Sequence, residues 1–276
     1  MRISRVCTVY FSATGTTRRT AKAAADAAAA LLGVPQADFC INLPQTREET
    51  LRFRPEDLVL AATPVYAGRV PNLLLPFWRE RVLGEGTPAA AIAVYGNRNF
   101  DDALAELRDL LWNNGFCPVA AGAFVGEHAF SRTLAAGRPD EADLALAAEL
   151  GRRTARRVAE LDRPPERPVE VPGCSPPRPY YTPRDRYGEP IRDFLKARPD
   201  TDPARCTRCG WCAAHCPLGS ISREDPAVVG RCMKCCACVK GCPAGAKGFT
   251  HPGFLYHKEE LEAQYGACRK ESALFL

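Results

Sequence analysis

Two sets of four cysteines dominate the chemistry open to this chain. Cys206, Cys209, Cys212 and Cys216 precede Pro217, and Cys232, Cys235, Cys238 and Cys242 precede Pro243. Each set reads C-x2-C-x2-C-x3-C-P, a spacing at which thiolates hold an iron–sulfur cubane. Three cysteines two residues apart wrap one cluster, while the longer gap and the helix-breaking proline carry the fourth away. Where two such sets occur together, that fourth thiolate ligates the other cluster. The expected metal ligands are therefore Cys206, Cys209, Cys212 with Cys242, and Cys232, Cys235, Cys238 with Cys216, for two [4Fe–4S] clusters. Zinc prefers one closed tetrahedron, commonly built from two separated CxxC pairs, and suits this pattern poorly. Disulfides need an oxidising compartment, of which the sequence gives no sign. Cys236, lodged between two ligands, is read as a non-ligating neighbour.

The elements that must position these thiolates belong to a chain of 276 residues, long enough for about two domains. Charged residues at 25% and hydrophobic ones at 46% are ordinary for a globular protein. No apolar run reaches the roughly 18 residues of a membrane span. Met1 to Arg5 lead directly into a strand-like run and lack a secretory leader's apolar core, so the expected location is cytoplasmic. The net charge of +5 lies in residues 163–276, because basic and acidic side chains balance over 1–162. Two oxidised clusters with their thiolates would add about −4 to that half, so the surplus offsets cluster charge. It does not argue for nucleic acid, whose base-stacking aromatics are missing too.

Residues 5–11 form an apolar run suited to a buried strand. Ser12-Ala13-Thr14-Gly15-Thr16-Thr17 follows, then an alanine-rich helical segment to Leu32. A strand, a hydroxyl-rich loop and a helix N-terminus make an anion site, with amide N–H groups and the helix dipole facing a phosphate. A plain capping turn has the same composition. Further strands are expected at 36–43, 57–62, 88–95 and 117–125, with helices at 72–82, 101–114 and 140–161. That alternation predicts an α/β fold with a parallel five-stranded sheet and helices on both faces. Ligands then bind beyond the carboxyl ends of the strands. There the sequence places Thr63-Pro64-Val65-Tyr66-Ala67-Gly68 and Gly96-Asn97-Arg98-Asn99-Phe100-Asp101-Asp102. His128 reads as a satisfied loop histidine, and Cys7, Cys40 and Cys117 as small core residues.

The pattern Ser12-x-Thr14-Gly15-x-Thr17 resembles the phosphate loop of flavodoxins. Residues 95–100, Tyr-Gly-Asn-Arg-Asn-Phe, resemble the flavin loop of the small flavodoxin that activates ribonucleotide reductase. With the paired cysteine sets behind it, the chain resembles the flavodoxin–ferredoxin fusion family. That resemblance implies a flavodoxin-like doubly wound sheet followed by a small α+β two-cluster ferredoxin-like domain. It implies non-covalent FMN, its phosphate held by Ser12, Ala13, Thr14, Gly15, Thr16 and Thr17. Thr63, Pro64, Val65, Tyr66 and Gly68 would flank the isoalloxazine on one side, and Gly96, Asn97, Asn99, Phe100 and Asp102 on the other. Tyr66 or Phe100 would stack on the ring, and Asn97 or Asn99 would hydrogen-bond its polar edge.

Residues 163–203 are rich in proline and read as a linker or strap between a domain at 1–162 and a second at 204–276. Residues 257–265 offer a short charged helix, and the tail beyond it shows no function. The expected function is electron transfer between two clusters and FMN, with a redox protein as donor or acceptor; direction and oligomeric state are not encoded legibly. A flavin-dependent reductase of a quinone or nicotinamide is the alternative, although no G-x-G-x-x-G is present to bind a dinucleotide. A zinc-binding adaptor is a further, colourless alternative.

Overall fold

The computed structural model describes residues 1–276. Its first half runs β1 (Arg5–Tyr10), α1 (Thr16–Leu32), β2 (Gln36–Cys40), β3 (Leu51–Phe53), β4 (Asp57–Pro64), α2 (Leu75–Glu80), β5 (Val82–Gly84), β6 (Thr87–Tyr95), α3 (Ala103–Asn113), β7 (Phe116–Val125) and α4 (Glu141–Glu160). After a stretch crossed only by a short 3-10 turn come β8 (Asp200–Thr201), α5 (Trp211–Ala214), α6 (Ala237–Lys240), β9 (Lys247–Gly248), α7 (Pro252–Tyr265) and β10 (Ala273–Phe275). No helix is long and apolar enough to cross a membrane.

The main sheet has the order β10-β7-β6-β4-β1-β2. Its five parallel strands, numbered among themselves, run 2-1-3-4-5, the flavodoxin-like doubly wound order. Successive side chains of a strand point to opposite faces, and both faces here are covered. Cys7, Val9, Val59, Ala61, Ala89 and Ala91 pack with Trp78, Leu104, Leu107 and Leu111 on one side. Val6, Leu58, Leu60, Ala90 and Ile92 pack against α1 and α4 on the other, through Ala24, Ala28, Leu150 and Val158. Central strands β6 and β7 are buried along their whole length. Cys7 and Cys117 are buried with them, and Cys40 is half-buried at the sheet's end.

The sequence predicts five strands, and the structure adds a sixth. The tail returns from the cysteine-rich half and pairs β10 antiparallel with β7, Leu274 opposite Gly122. Its approach is fixed by polar contacts. Asn97 Nδ2 donates to the carbonyls of Tyr265 and Cys268, at 2.9 and 2.7 Å, while its Oδ1 accepts from Lys270 N at 3.0 Å. Ser272 Oγ donates to Asp143, and the buried Arg138–Asp143 pair extends to the Lys270 carbonyl through Arg138 Nη1. Short apolar triplets carry too little periodicity to announce such an edge strand.

The proline-rich segment is likewise pinned. Val169 is buried in the core, and its N–H donates to the Pro118 carbonyl. Asp102, 1% exposed, accepts from the amides of Cys174 and Arg178 and from the Arg178 guanidinium. Those Arg178 bonds hold its carboxyl well below the usual range. Tyr180 donates to the Val70 carbonyl under the Arg69 guanidinium, which pairs with Glu106. The segment therefore runs as a strap from the start of β7 to the loops at the sheet's carboxyl end.

A third set of contacts joins the cysteine-rich half to that end. Lys240 Nζ donates to Glu127 and to the His128 carbonyl. Arg47 donates to the Pro217 carbonyl. Phe130 packs on Phe254, ring centroids 4.7 Å apart, with Phe194 and His257 around it. Burial lowers His128 to about 3, helped by nearby Lys240, and lowers His257 to about 4, helped by Arg98.

Two outcomes follow from these contacts. Asn97→Ala strips partners from two carbonyls and one amide, so a loss of about 1–3 kcal/mol is expected. Amide exchange should accelerate in residues 273–275 and not in β1. The seam should also be pH-sensitive. Histidines released by unfolding titrate near 6.5, whereas the folded ones refuse a proton until about 4 or 3. Their contribution is therefore complete above pH 6.5 and declines as pH falls from there towards 4. Thermal unfolding at a series of pH values should show that decline, and His257→Gln should reduce it, His128 supplying the remainder.

Candidate functional site: two cysteine cavities and an amide cradle

The two cysteine sets fold as near-repeats of one another. In each, a basic residue before the second cysteine takes a left-handed conformation, Arg208 at φ 52° and Lys234 at φ 56°. The residue after it does the same, Gly210 in one set and Cys236 in the other, and caps α5 or α6. Cys236 is thus a buried helix cap, packed near Ala197 and Phe254. Strands β8 and β9 close the unit. Trp211 lies on Gly241 so tightly that a Cβ there would meet its ring at 1.8 Å.

One cavity is lined by Cys206, Cys209, Cys212 and Cys242, the last drawn from the second set. Another is lined by Cys216, Cys232, Cys235 and Cys238, with Cys236 beside them. No three His, Cys, Asp or Glu side chains converge on a point that would hold a single metal ion. Cys209 is exposed, whereas Cys235 and Cys238 are buried. Burial pushes both of those thiols up to about 12, so thiolates there require a cationic core to offset their charge. Cys242 moves down instead. Burial opposes ionisation there, but amides from Ala244 to Lys247, led by Ala246, outweigh it. Amides also reach Cys216 from Ser220 and Cys232 from Lys234.

At the other body, the residue 12–17 loop leaves β1 and enters α1. The side-chain amide of Asn42, unmarked by any sequence signal, brackets it by bonding both Ser12 N and Ser12 O. Ser12 Oγ accepts from Arg18 N. Gly15 caps the helix at φ 92°, a conformation an L side chain adopts with strain. The consequence is a run of donors: the amides of Ala13, Thr14, Gly15, Thr16 and Thr17 find no acceptor within the chain. Five free N–H groups at the start of a 17-residue helix suit a phosphate-like anion.

The two flanking loops are placed differently from one another. Thr63 is buried with its hydroxyl on the Pro64 carbonyl, and Val65 N bonds Val94 O. Tyr66 and Arg69 bond each other's backbone, which turns the loop at Ala67 and at Gly68, φ 80°. Tyr66 meets Phe11 edge-on at 6.4 Å, and its hydroxyl is raised well above its ordinary value by burial and then by the sulfurs of Cys235, Cys236 and Cys232. This loop therefore adjoins the second cavity. In the other loop, Gly96 lies against His128, and a Cβ there would meet its ring. Asn99 accepts from Asp101 N, and Phe100 packs between Tyr95 and Phe275. Asn97 bonds the tail and Asp102 bonds the strap. The tail partners of Asn97 lie about 170 residues away in sequence.

Residues 199–222 match the 4Fe-4S binding domain family, Fer4, which spans the first cysteine set. No curated protein matches the sequence. Among solved structures, a flavodoxin from the domain Archaea aligns at TM-score 0.42 and 16% identity, over 56% of this chain and 99% of its own. The two-electron reduced flavodoxin of Megasphaera elsdenii aligns at TM-score 0.36 and 19% identity, over 55% of this chain and 98% of its own. The rubredoxin oxygen:oxidoreductase of the anaerobe Desulfovibrio gigas aligns at TM-score 0.39 and 12% identity, over 57% of this chain, which spans only 37% of that protein. The strand order and the family match together describe a flavodoxin-like α/β fold joined to a ferredoxin-type 4Fe-4S binding domain.

Proposed function

We propose that this chain is an intracellular, cytoplasmic electron-transfer protein that holds two [4Fe–4S] clusters and one FMN. The observation that carries the reading is the adjacency of a four-cysteine cavity to the sheet's ligand-binding end, through the Tyr66 loop and the Lys240–Glu127 contact. The residues fit the groups. Cys206, Cys209, Cys212 and Cys242 would hold one cluster, Cys216, Cys232, Cys235 and Cys238 the other, and the amides of residues 13–17 would hold the FMN phosphate. When bound, the clusters exchange single electrons and the flavin one or two, so the set links one- and two-electron chemistry.

The chain's own residues supply position and environment. The inner cavity, lined by Cys216, Cys232, Cys235 and Cys238, is walled by the apolar side chains of Leu218, Ile221, Val229, Met233 and Phe249. The outer cavity reaches the surface at Cys209, where a redox protein can approach. Asn97 and Asp102 act here as positioning residues that fix the flavin-side loop through tail and strap. The domain division becomes 1–162 with its strap and the returning strand β10, against a cysteine-rich unit that begins at β8. A zinc-binding adaptor would be colourless, so one anaerobic absorbance spectrum separates it from both redox readings. A reductase of a small substrate is separated from a carrier by turnover with NADH or a quinone in the absence of any protein partner.

Two measurements test the assignment. Thr14→Val with Thr17→Val removes two hydroxyl donors from the cradle, and hydrogen bonds to a charged group contribute about 1.5–3 kcal/mol. Flavin affinity should drop about a hundred- to ten-thousandfold with iron content unchanged; equal affinity rejects the phosphate loop. For the ligand sets, Cys216→Ala should alter the spectrum of the cluster that Cys209→Ser leaves intact. If both variants perturb the same cluster, the crossed pairing is wrong.

A further inference from the structure

The near-symmetry of the cysteine sets breaks at one buried position. Cys216-Pro217-Leu218-Gly219-Ser220-Ile221 in the first set corresponds to Cys242-Pro243-Ala244-Gly245-Ala246-Lys247 in the second. Ile221 is 7% exposed and lines the inner cavity. Lys247 is 5% exposed and lines the outer one. An ammonium thus stands where the repeat has a hydrocarbon. It is held there by two acceptors: Lys247 Nζ donates to Thr201 Oγ1 at 2.7 Å and to the Pro226 carbonyl. Thr201 Oγ1 itself donates to Pro226 O, which leaves its lone pair turned to the lysine.

We propose that Lys247 is a redox-tuning residue that makes the outer cluster, held by Cys206, Cys209, Cys212 and Cys242, the higher in potential of the two. This rests on the two-cluster reading above. An electron added at a site already crowded with thiolates raises its negative charge by one, and a buried cation nearby stabilises that added charge. Solvent exposure acts in the same direction, and the outer set is the one that reaches the surface at Cys209. Amide bonds reach both sets, from Ser220 and Lys234 at the inner and from Ala246 and its neighbours at Cys242, and do not favour the inner one. One feature opposes it. Lys234 is buried beside the inner set and its charge is felt at Cys232, while its Nζ donates to the Leu195 carbonyl and lies over the Phe194 ring at 5.5 Å. Arg208 lies at the outer cavity too, yet it is exposed and screened. The charge of Lys247 is also felt at Cys238 of the inner set, so its effect there should be smaller and of the same sign.

The test uses the full chain purified anaerobically, with iron and sulfide quantified first. Too little iron for two clusters in the unsubstituted protein defeats the two-cluster reading and not the role of Lys247. Lys247→Gln keeps a donor for Thr201 and Pro226 but removes the charge, and Lys247→Arg keeps the charge. Redox titrations followed by electron paramagnetic resonance would give both potentials, with Cys209→Ser identifying the outer cluster's signal. The expected result is a fall in the outer cluster's potential in Lys247→Gln, larger than any fall at the inner cluster, with Lys247→Arg close to the unsubstituted protein. Loss of iron in Lys247→Gln with retention in Lys247→Arg also supports a charge role at that site. Equal shifts at both clusters, no shift at either, or loss of iron in both variants overturns it.

Discussion

Loops at the carboxyl end of a parallel sheet have no ladder of their own, so their polar groups must be satisfied by something else. In this chain that something is largely the chain itself, returning from far along the sequence. Asp102 sits 1% exposed with an ionised carboxylate, compensated by Arg178 and two amides of the strap. Losing Arg178, which is itself largely exposed, would leave that buried carboxylate to the two amides alone. Asn97 does the same for the tail with neutral bonds. The ligand end, the strap and the tail are consequently one cooperative assembly, and the cysteine-rich unit is anchored on both sides of its sequence.

Against that ordered rim stands one loop left unsatisfied. The amides of residues 13–17 point to no acceptor within the chain, although Asn42 and Ser12 fix the backbone around them. Donors held in place without partners favour an anion, since the ordering cost has been met by folding. The contrast between this loop and the residue 96–102 loop is informative. The first keeps its hydrogen-bonding capacity for a ligand, while the second has spent much of it on shape.

The thiols pose the opposite electrostatic problem. Eight sulfurs in a small unit repel each other when ionised, and burial at Cys235 and Cys238 raises the difficulty. The chain answers with amides directed at Cys216, Cys232 and Cys242, with Lys247 inside and with the basic surplus of residues 163–276 outside. These contributions are unequal between the two cavities. That inequality makes two near-identical halves electrostatically distinct.

Much of this was legible in the amino-acid order. Cysteine spacing is local, and the thiols it groups line two cavities, Cys242 with the first three cysteines and Cys216 with Cys232, Cys235 and Cys238. Strand and helix alternation is also local: the apolar runs at 5–11, 57–62, 88–95 and 117–125 became the sheet, and Ser12 to Thr17 entered a helix as expected. The tertiary structure alone decided the sixth strand, the partners of Asn97 and Asp102, the bracket from Asn42 and the burial of Lys247. None has a periodic signature, and each depends on residues brought together across 30 to about 170 positions. An asparagine, an aspartate and a lysine look the same in sequence whether they face water, a ligand or a distant segment. Only the packing that removes water from around them fixes which charge or amide must find a partner within the chain.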